Sequence, residues 1–397
     1  MSQPGSANNY DYLIVGAGFA GAVIAERLAT VSNQKVLVLE RRNHIGGNCY
    51  DYRDEHGVLL HKYGPHYFRT NSERVKNYLS AFTDWQPANY RVVSYTDAQY
   101  YSFPINLKTF EQFIGRDSTT EEMEETLKKW RVDIPNPKNS EEVIVSQVGW
   151  QMYDKFFKNY TIKQWKVHPR ELDASVCGRI PVRTTRDERY FNDVFQALPK
   201  EGYTAMFKKM LSHPNIKVRL EADFAELRPR LKYRHLVYTG MIDEYYNYIF
   251  GVLPYRSLRF ESQNFKQEFY QPALQVNYPN DHPYTRIVEL KHVTGQKLPS
   301  TTVIREYPDD FESGKEAFYP IPKSSCREQY LRYAQLALQE KDVSFVGRLA
   351  TYKYINMDQV VESALEWFDK HSVSGPGVET KVSVSFIPSV HKVSQES

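Results

Sequence analysis

Gly16, Gly18 and Gly21 lie in the string LIVGAGFAGAVIAERL, directly after a short apolar run and at the mouth of a segment with helical periodicity. Glycines at that spacing permit a tight turn, close approach of the main chain to a pyrophosphate, and tight packing of helix on strand. The free N–H groups of the helix N-terminus then face the phosphates. Glu40 closes a second apolar run, KVLVLE. A carboxylate about twenty residues beyond the glycines accepts both ribose hydroxyls, and it repels a 2′-phosphate. The chemistry read here is the binding of a dinucleotide without that phosphate. Gly46 and Gly47, in RRNHIGGNCY, make a second glycine turn soon after Glu40. An NAD domain has no evident use for it, whereas a chain looping back along the pyrophosphate of FAD does.

Other strings carry polar chemistry. NYTIKQW places Tyr160 and Trp165 at the end of a helical stretch. GRIPVRTTRDERYFND then brings Arg179, Arg183, Arg186 and Arg189 at intervals of three or four. On a helix these would be a solvated face, but Pro181, Thr184 and Thr185 argue for a loop. Aromatic rings beside an arginine-bearing loop suit a nucleoside diphosphate, with stacking for the base and guanidinium forks for the phosphates. His66, in HKYGPHYF, follows a Gly-Pro turn and so belongs to a fixed loop. The parts of acid–base or nucleophilic catalysis are missing: no G-x-S-x-G, no H-E-x-x-H, no close pair of carboxylates in a glycine-rich setting. No metal-ligand spacing occurs either, so the cofactor is expected to carry the chemistry.

The elements that must hold these residues follow from pattern. Tyr12–Val15 and the KVLVLE run flank a helix whose apolar positions include Val23, Ile24, Leu28 and Val31, which is a β-α-β unit. From about residue 107 to 165 the pattern turns helical. Ser118 followed by Glu121, and Asn139 followed by Glu142, mark N-termini. Residues from about 215 to 305 read mostly as strands. VSFVGR is a late strand, and a last helix begins near Asn356 to Asp358. Either it points its N–H groups at the pyrimidine end of a flavin or it is an ordinary final helix packed on the sheet, which is what the segment alone would suggest.

With 397 residues, 41% apolar and 25% charged, the chain is globular and large enough for two or three domains. A formal net charge of +3 gives no case for nucleic acid. Cys49, Cys177 and Cys326 are widely spaced and odd in number, with no CxxC, which argues against a disulfide framework or a structural zinc site. The polar start lacks a secretory leader, and no apolar run reaches the ~18 residues of a membrane span. A cytoplasmic protein is expected. The 30 Tyr and 21 Phe serve either as half-wet interface packing or as walls of a ring-stacking cleft.

Taken together, ERRNHIGGN, HKYGPH, YTIKQW, RIPVR, YRSL, YTRI and VGRLATYKY, in this order from about Tyr12 to Phe368, resemble the UDP-galactopyranose mutase family. The resemblance implies an α/β fold: a Rossmann-like FAD-binding domain with an inserted helical domain and a six-stranded antiparallel β-sheet domain. The FAD-binding parts would be 1–85, 206–242 and 319–370. Sheet segments would be 86–106 and 243–318, with a helical substrate domain at 107–175, a substrate loop and sheet segment at 176–205, and a tail at 371–397. It further implies a flavin-dependent isomerase, with a role in cell wall biosynthesis, that interconverts UDP-galactopyranose and UDP-galactofuranose. N5 of reduced FAD would attack the anomeric carbon, displacing UDP, which returns after the ring recloses, with no net redox change. An unidentified flavin reductant would be a partner. The helical insertion offers a dimerisation surface.

By the same resemblance, Arg183 and Arg286 would grip the diphosphate, Arg183 from a mobile loop, and His66 would sit beside the flavin ring. Tyr160 would stack on the uracil, with Phe156, Phe157, Thr161 and Trp165 around it. Tyr190, Tyr319, Tyr354, Arg256 and Asn106 would complete the substrate contacts. Gly16, Gly18, Phe19, Ala20, Gly21, Glu40, Arg41, Gly47, Asn48, His61, Gly347, Arg348 and Met357 would hold FAD. Asn356 and Arg69 depart from the family pattern, which often carries Asp and His there. Rival expectations are a flavin amine oxidase on the same scaffold and a non-enzymatic binding protein like a GTPase dissociation inhibitor.

Overall fold

The computed structural model describes residues 10–312 and 314–372. Five short strands form one wholly parallel sheet in the order Ile216–Arg219, Val36–Leu39, Tyr10–Val15, Tyr233–Tyr238, Val343–Phe345. Both faces are covered, so the central strands are continuous apolar runs rather than alternating ones. Leu13, Ile14, Val36, Val38, Leu236 and Val237 are fully closed to solvent. Helix Phe19–Thr30 packs against the last helix, Met357–Ser372, through Val23, Ile24, Val361 and Ala364 among others. Val31 instead caps the first helix and is exposed.

The second sheet has seven strands, in the order Tyr319–Pro320, Tyr255–Phe265, Thr301–Asp310, Arg286–Val288, Gln275–Asn277, Val92–Thr96, Gln99–Phe103. It corrects the expectation of a six-stranded antiparallel sheet. Gln275–Asn277 runs parallel to Val92–Thr96, because those two strands come from distant parts of the chain and need no hairpin. Tyr319–Pro320 pairs with Tyr255 and Arg256, so the sheet runs past the expected boundary at 318. Phe195–Pro199 joins Arg69–Thr70 and Trp85–Pro87 in a separate three-stranded sheet, not the large one.

Helices fill the insertion: Leu107–Ile114, Thr120–Trp130, Ser140–Met152, a wide π-helical segment Tyr153–Lys158, and Asn159–Trp165. Their core holds Val145, Val148, Met152 and Phe156, as expected, although Gly149 (φ +76°) breaks the helix between Val148 and Met152. Asn139 caps its helix, its side chain accepting from the Glu142 N–H. The other cap lies one residue later than expected: Thr119, not Ser118, accepts from the Glu122 N–H, and the Ser118 hydroxyl donates to the Glu122 carboxylate. Residues 179–194 form no helix or strand, in line with the loop reading of the arginine run. The expected tail lies outside the described residues except for its first two.

Candidate functional site

The dinucleotide cleft is built largely from main chain. Gly16 has φ +102°, and a Cβ there would lie 2.2 Å from Thr239 Oγ1. A Cβ on Gly21 would lie 1.9 Å from the Gly16 carbonyl oxygen, so the helix can sit on the strand only with hydrogen at that place. Gly47, at φ +54°, would press a Cβ to 2.9 Å from Gly18 Cα. The two glycine turns therefore touch, and the Gly46 N–H donates to the Ala17 carbonyl at 2.9 Å. Glu40 is oriented by N–H groups of Ala17 (2.9 Å) and Arg42 (3.0 Å).

These turns border a cavity of about 390 Å³, walled also by Phe19, Ala20, Arg41, Asn48, His66, Gly347, Arg348 and Met357. Helix Met357–Ser372 opens at its edge. Gly21 and His61 stand outside the wall. His61 lies behind it, 1% exposed, with Nδ1 accepting the His66 N–H at 3.0 Å. Burial pulls His61 down to about 3, so it is neutral. A cavity bordered by two glycine turns, a buried carboxylate and a helix N-terminus fits a dinucleotide such as FAD.

A side-chain cluster adjoins the His66 and Arg348 end of the cleft. Arg286 Nη2 pairs with Glu306 Oε2 at 2.7 Å, Glu306 being wholly buried. Desolvation works most strongly against the Arg286 cation, but Glu306 together with the Tyr160 and Tyr319 phenols outweighs it and raises its pKa. Tyr160, Tyr190, Tyr319 and His66 are within its electrostatic reach. Trp165, Tyr319 and Tyr354 form a triangle of rings 5.4–6.0 Å apart. The Arg348 guanidinium lies 5.7 Å from the Tyr319 ring and 5.9 Å from that of Tyr354. Burial raises the hydroxyls of Tyr160, Tyr190 and Tyr319, the last to about 12, so all are neutral donors at pH 7. Arg286 Nε and Glu306 Oε1 are buried with no hydrogen-bond partner. Such orphans are rare in folded proteins, and here they leave a donor free for a ligand oxygen.

Several residues expected to contact substrate are engaged here with other groups of the protein. Arg183 folds back on its own loop, donating to the Arg189 carbonyl at 2.6 Å and to Asn192 Oδ1. Asn106 is the buried N-cap of helix Leu107–Ile114, and its amide donates to Ser102 Oγ and the Pro104 carbonyl. Phe156 and Phe157 are 3% and 4% exposed, packed on Tyr101 and Phe103 in the helical core. Thr161 turns its hydroxyl to Cys177. Arg256, 3% exposed, pairs with Asp310 and leaves Nη2 unpartnered beside a second cavity walled by Trp165 and Phe311. Arg69 pairs with Asp193 at 2.6 Å, and the Asn356 N–H donates to Gln359.

Arg179, read from sequence as part of the arginine-bearing loop, lies 4.7 Å from the Tyr354 ring. One cluster member escaped the sequence reading. Glu306 sits in a strand, IREYP, and only the cross-strand register Arg286↔Glu306 reveals the pair.

A parallel sheet with a glycine-built cleft, next to a cluster of guanidinium and phenol groups, defines an α/β protein of the dinucleotide-binding class. The chain belongs to the UDP-galactopyranose mutase family: the family model of that description matches residues 155–354, and one for an NAD(P)-binding Rossmann-like domain matches 14–82. It is 39% identical to a probable UDP-galactopyranose mutase of Klebsiella pneumoniae, covering 91% of this chain and 95% of the relative. It is 38% identical to a dTDP-fucopyranose mutase of Escherichia coli, covering 89% and 96%. A crystal structure of reduced UDP-galactopyranose mutase shares the fold at TM-score 0.73 and 17% identity, over 94% of this chain and 98% of that one. The family implies a flavin cofactor, and the cleft fits one.

Proposed function

We propose that this chain is an isomerase that interconverts UDP-galactopyranose and UDP-galactofuranose, with FAD active in its reduced form. When bound, reduced FAD supplies the nucleophile for the sugar's anomeric carbon, and the reaction has no net redox change. The protein's own residues position substrate and neutralise charge. Arg286 holds the diphosphate through its free Nε, with the hydroxyls of Tyr190, Tyr319 and Tyr354 around it. Tyr160 stacks on the base. Arg183 reaches the diphosphate when its loop leaves the Asn192 contact. His66 and Arg348 stand where the cleft and the cluster meet, so they order the flavin against the sugar.

The observation that carries this reading is the unpartnered Arg286 Nε among phenols, at the end of a dinucleotide cleft. UDP displaced from the sugar must be kept close enough to return, and a fixed guanidinium does that. Turnover of UDP-galactofuranose is expected only after chemical reduction of the flavin; equal turnover by the oxidised enzyme refutes the mechanism. In this reading an electron donor is a partner, and the enzyme works in the cytoplasm. Among the described residues no helix is long and apolar enough to cross a membrane. The 38% identity to a dTDP-fucopyranose mutase favours one second reading, a dTDP-sugar substrate. Competition between UDP and dTDP for the reduced enzyme decides between them.

A further inference from the structure

Lys163 is three residues beyond Tyr160 on helix Asn159–Trp165, and so on the same side of it. Its ammonium leaves the helical unit and enters the turn between strands Gln275–Asn277 and Arg286–Val288 of the large sheet. There it donates to three carbonyls, those of Tyr278 (2.6 Å), His282 (2.8 Å) and Tyr284 (3.2 Å). An ammonium has three donors, and all three are used.

The turn needs this help. His282 has φ +105°, a conformation that side-chain-bearing residues rarely adopt. Convergent carbonyls on one side of a turn repel one another unless a cation sits between them. The turn ends at Thr285 and passes directly into Arg286, whose pair across the strands is Asn277. A second link runs parallel to the first: Asn159 Nδ2 donates to Asn280 Oδ1 at 2.8 Å, and Asn280 Nδ2 donates to Thr96 Oγ1 and to the Lys155 carbonyl. Tyr160 and Arg286 belong to different structural units, yet each lies within three residues of this clasp.

We infer that Lys163 is a positioning residue: by binding the 278–285 turn it fixes Tyr160 relative to Arg286, so that one ligand's base and diphosphate are gripped together. This rests on the nucleotide-sugar reading. A ligand that spans both groups depends on the clasp, and one that meets Arg286 alone does not.

The test compares binding of UDP and of inorganic pyrophosphate to the flavin-loaded protein by calorimetry, for the wild type and Lys163→Ala. The variant should bind UDP about ten- to a hundred-fold more weakly and pyrophosphate nearly as well as the wild type. Methylammonium chloride should restore much of the UDP affinity, because a small cation can re-enter among the three carbonyls, and sodium chloride at equal ionic strength should not. Unchanged UDP affinity, or equal loss of both ligands without rescue, overturns the inference. Should Lys163→Ala not fold, Asn280→Ala at an exposed site decides: a smaller loss confined to UDP supports the clasp, and no change overturns it. A wild type that binds pyrophosphate but not UDP removes the nucleotide reading itself, and the inference with it.

Discussion

The cleft and the cluster meet at His66 and Arg348 but are made in opposite ways. The cleft is a main-chain object. At Gly16, Gly21 and Gly47 a Cβ would press on Thr239, on the Gly16 carbonyl and on Gly18 Cα, so hydrogen is the only side chain that fits, and Glu40 is aimed by two N–H groups. The cluster is a side-chain object, drawn from the helical unit (Tyr160, Trp165), the loop (Arg179, Tyr190), the large sheet (Arg286, Glu306, Tyr319) and the late segment (Arg348, Tyr354). A main-chain site is fixed by the sheet beneath it and tolerates no added volume. A side-chain site is fixed by charge pairs and by how separate units pack, so it should degrade by degrees.

The hardest test of that contrast is Gly47→Val. A β-branched residue at φ +54°, 2.9 Å from Gly18 Cα, forces the two turns apart. Flavin affinity should fall on the order of a hundred-fold or more, giving a colourless purified protein with a folded circular-dichroism spectrum. Full flavin content in this variant would mean that the turns do not form the cradle.

Arg286→Ala should act on the other side of the divide. Turnover of the reduced enzyme is expected to drop by roughly 10²–10³-fold, the usual cost of losing a fixed charge in a partly dry site. Flavin content, read from visible absorbance, should stay near wild type. The variant also strands Glu306 as a buried, unpaired charge, which costs about 3–5 kcal/mol unless the carboxyl takes up a proton. Thermal stability should therefore fall as well, and Glu306→Gln in the same chain should recover part of it. Loss of flavin together with turnover would show that cleft and cluster are one unit.

The same contrast decides what could be read from sequence. The cleft was legible because main-chain geometry restricts residue type: only glycine serves at Gly16, Gly21 and Gly47, and the periodicities around them specify strand and helix. The helical insertion was legible for a similar reason, apart from a cap displaced from Ser118 to Thr119. The cluster was not legible from spacing. Tyr160, Arg286 and Tyr354 are far apart along the chain, and it was resemblance to a family that grouped them. Resemblance also grouped Asn106, Phe156 and Phe157 with them, whereas packing uses those three as a cap and as core. Glu306 stayed invisible because an acidic residue in a strand usually faces solvent, and only strand register puts this one against Arg286. The parallel junction of Gln275–Asn277 with Val92–Thr96 was hidden likewise, since strand signals carry no record of distant partners.

Arg183 gives a milder test within the cluster. In this conformation its guanidinium is held by its own loop, through the Arg189 carbonyl and Asn192. Its contribution thus depends on a loop movement whose cost offsets part of the gain. Arg183→Ala should lower kcat/KM by about ten- to a hundred-fold, less than Arg286→Ala, with UDP affinity of the oxidised protein changed little. If the order of the two arginines is reversed, the fixed cluster is not the main holder of the diphosphate.

The smallest effect concerns the seam between the regions. His61 is buried behind the cleft wall, its Nδ1 lone pair is occupied by the His66 N–H, and desolvation lowers its pKa to about 3. In the unfolded chain a histidine titrates near 6.5. Because the unfolded state takes up the proton first, stability from this residue is complete above about pH 6.5 and is lost as pH falls toward 3. At pH 5.5 the loss should be about 1 kcal/mol, seen as a lower thermal midpoint of the flavin-loaded protein than at pH 7.5. His61→Asn keeps an acceptor for the His66 N–H but has no proton to gain, so its midpoint should vary less with pH over that window. Parallel pH profiles for the two proteins would mean that His61 takes up a proton in the folded state, and then the wall between cleft and cluster is wetter and looser than its packing indicates.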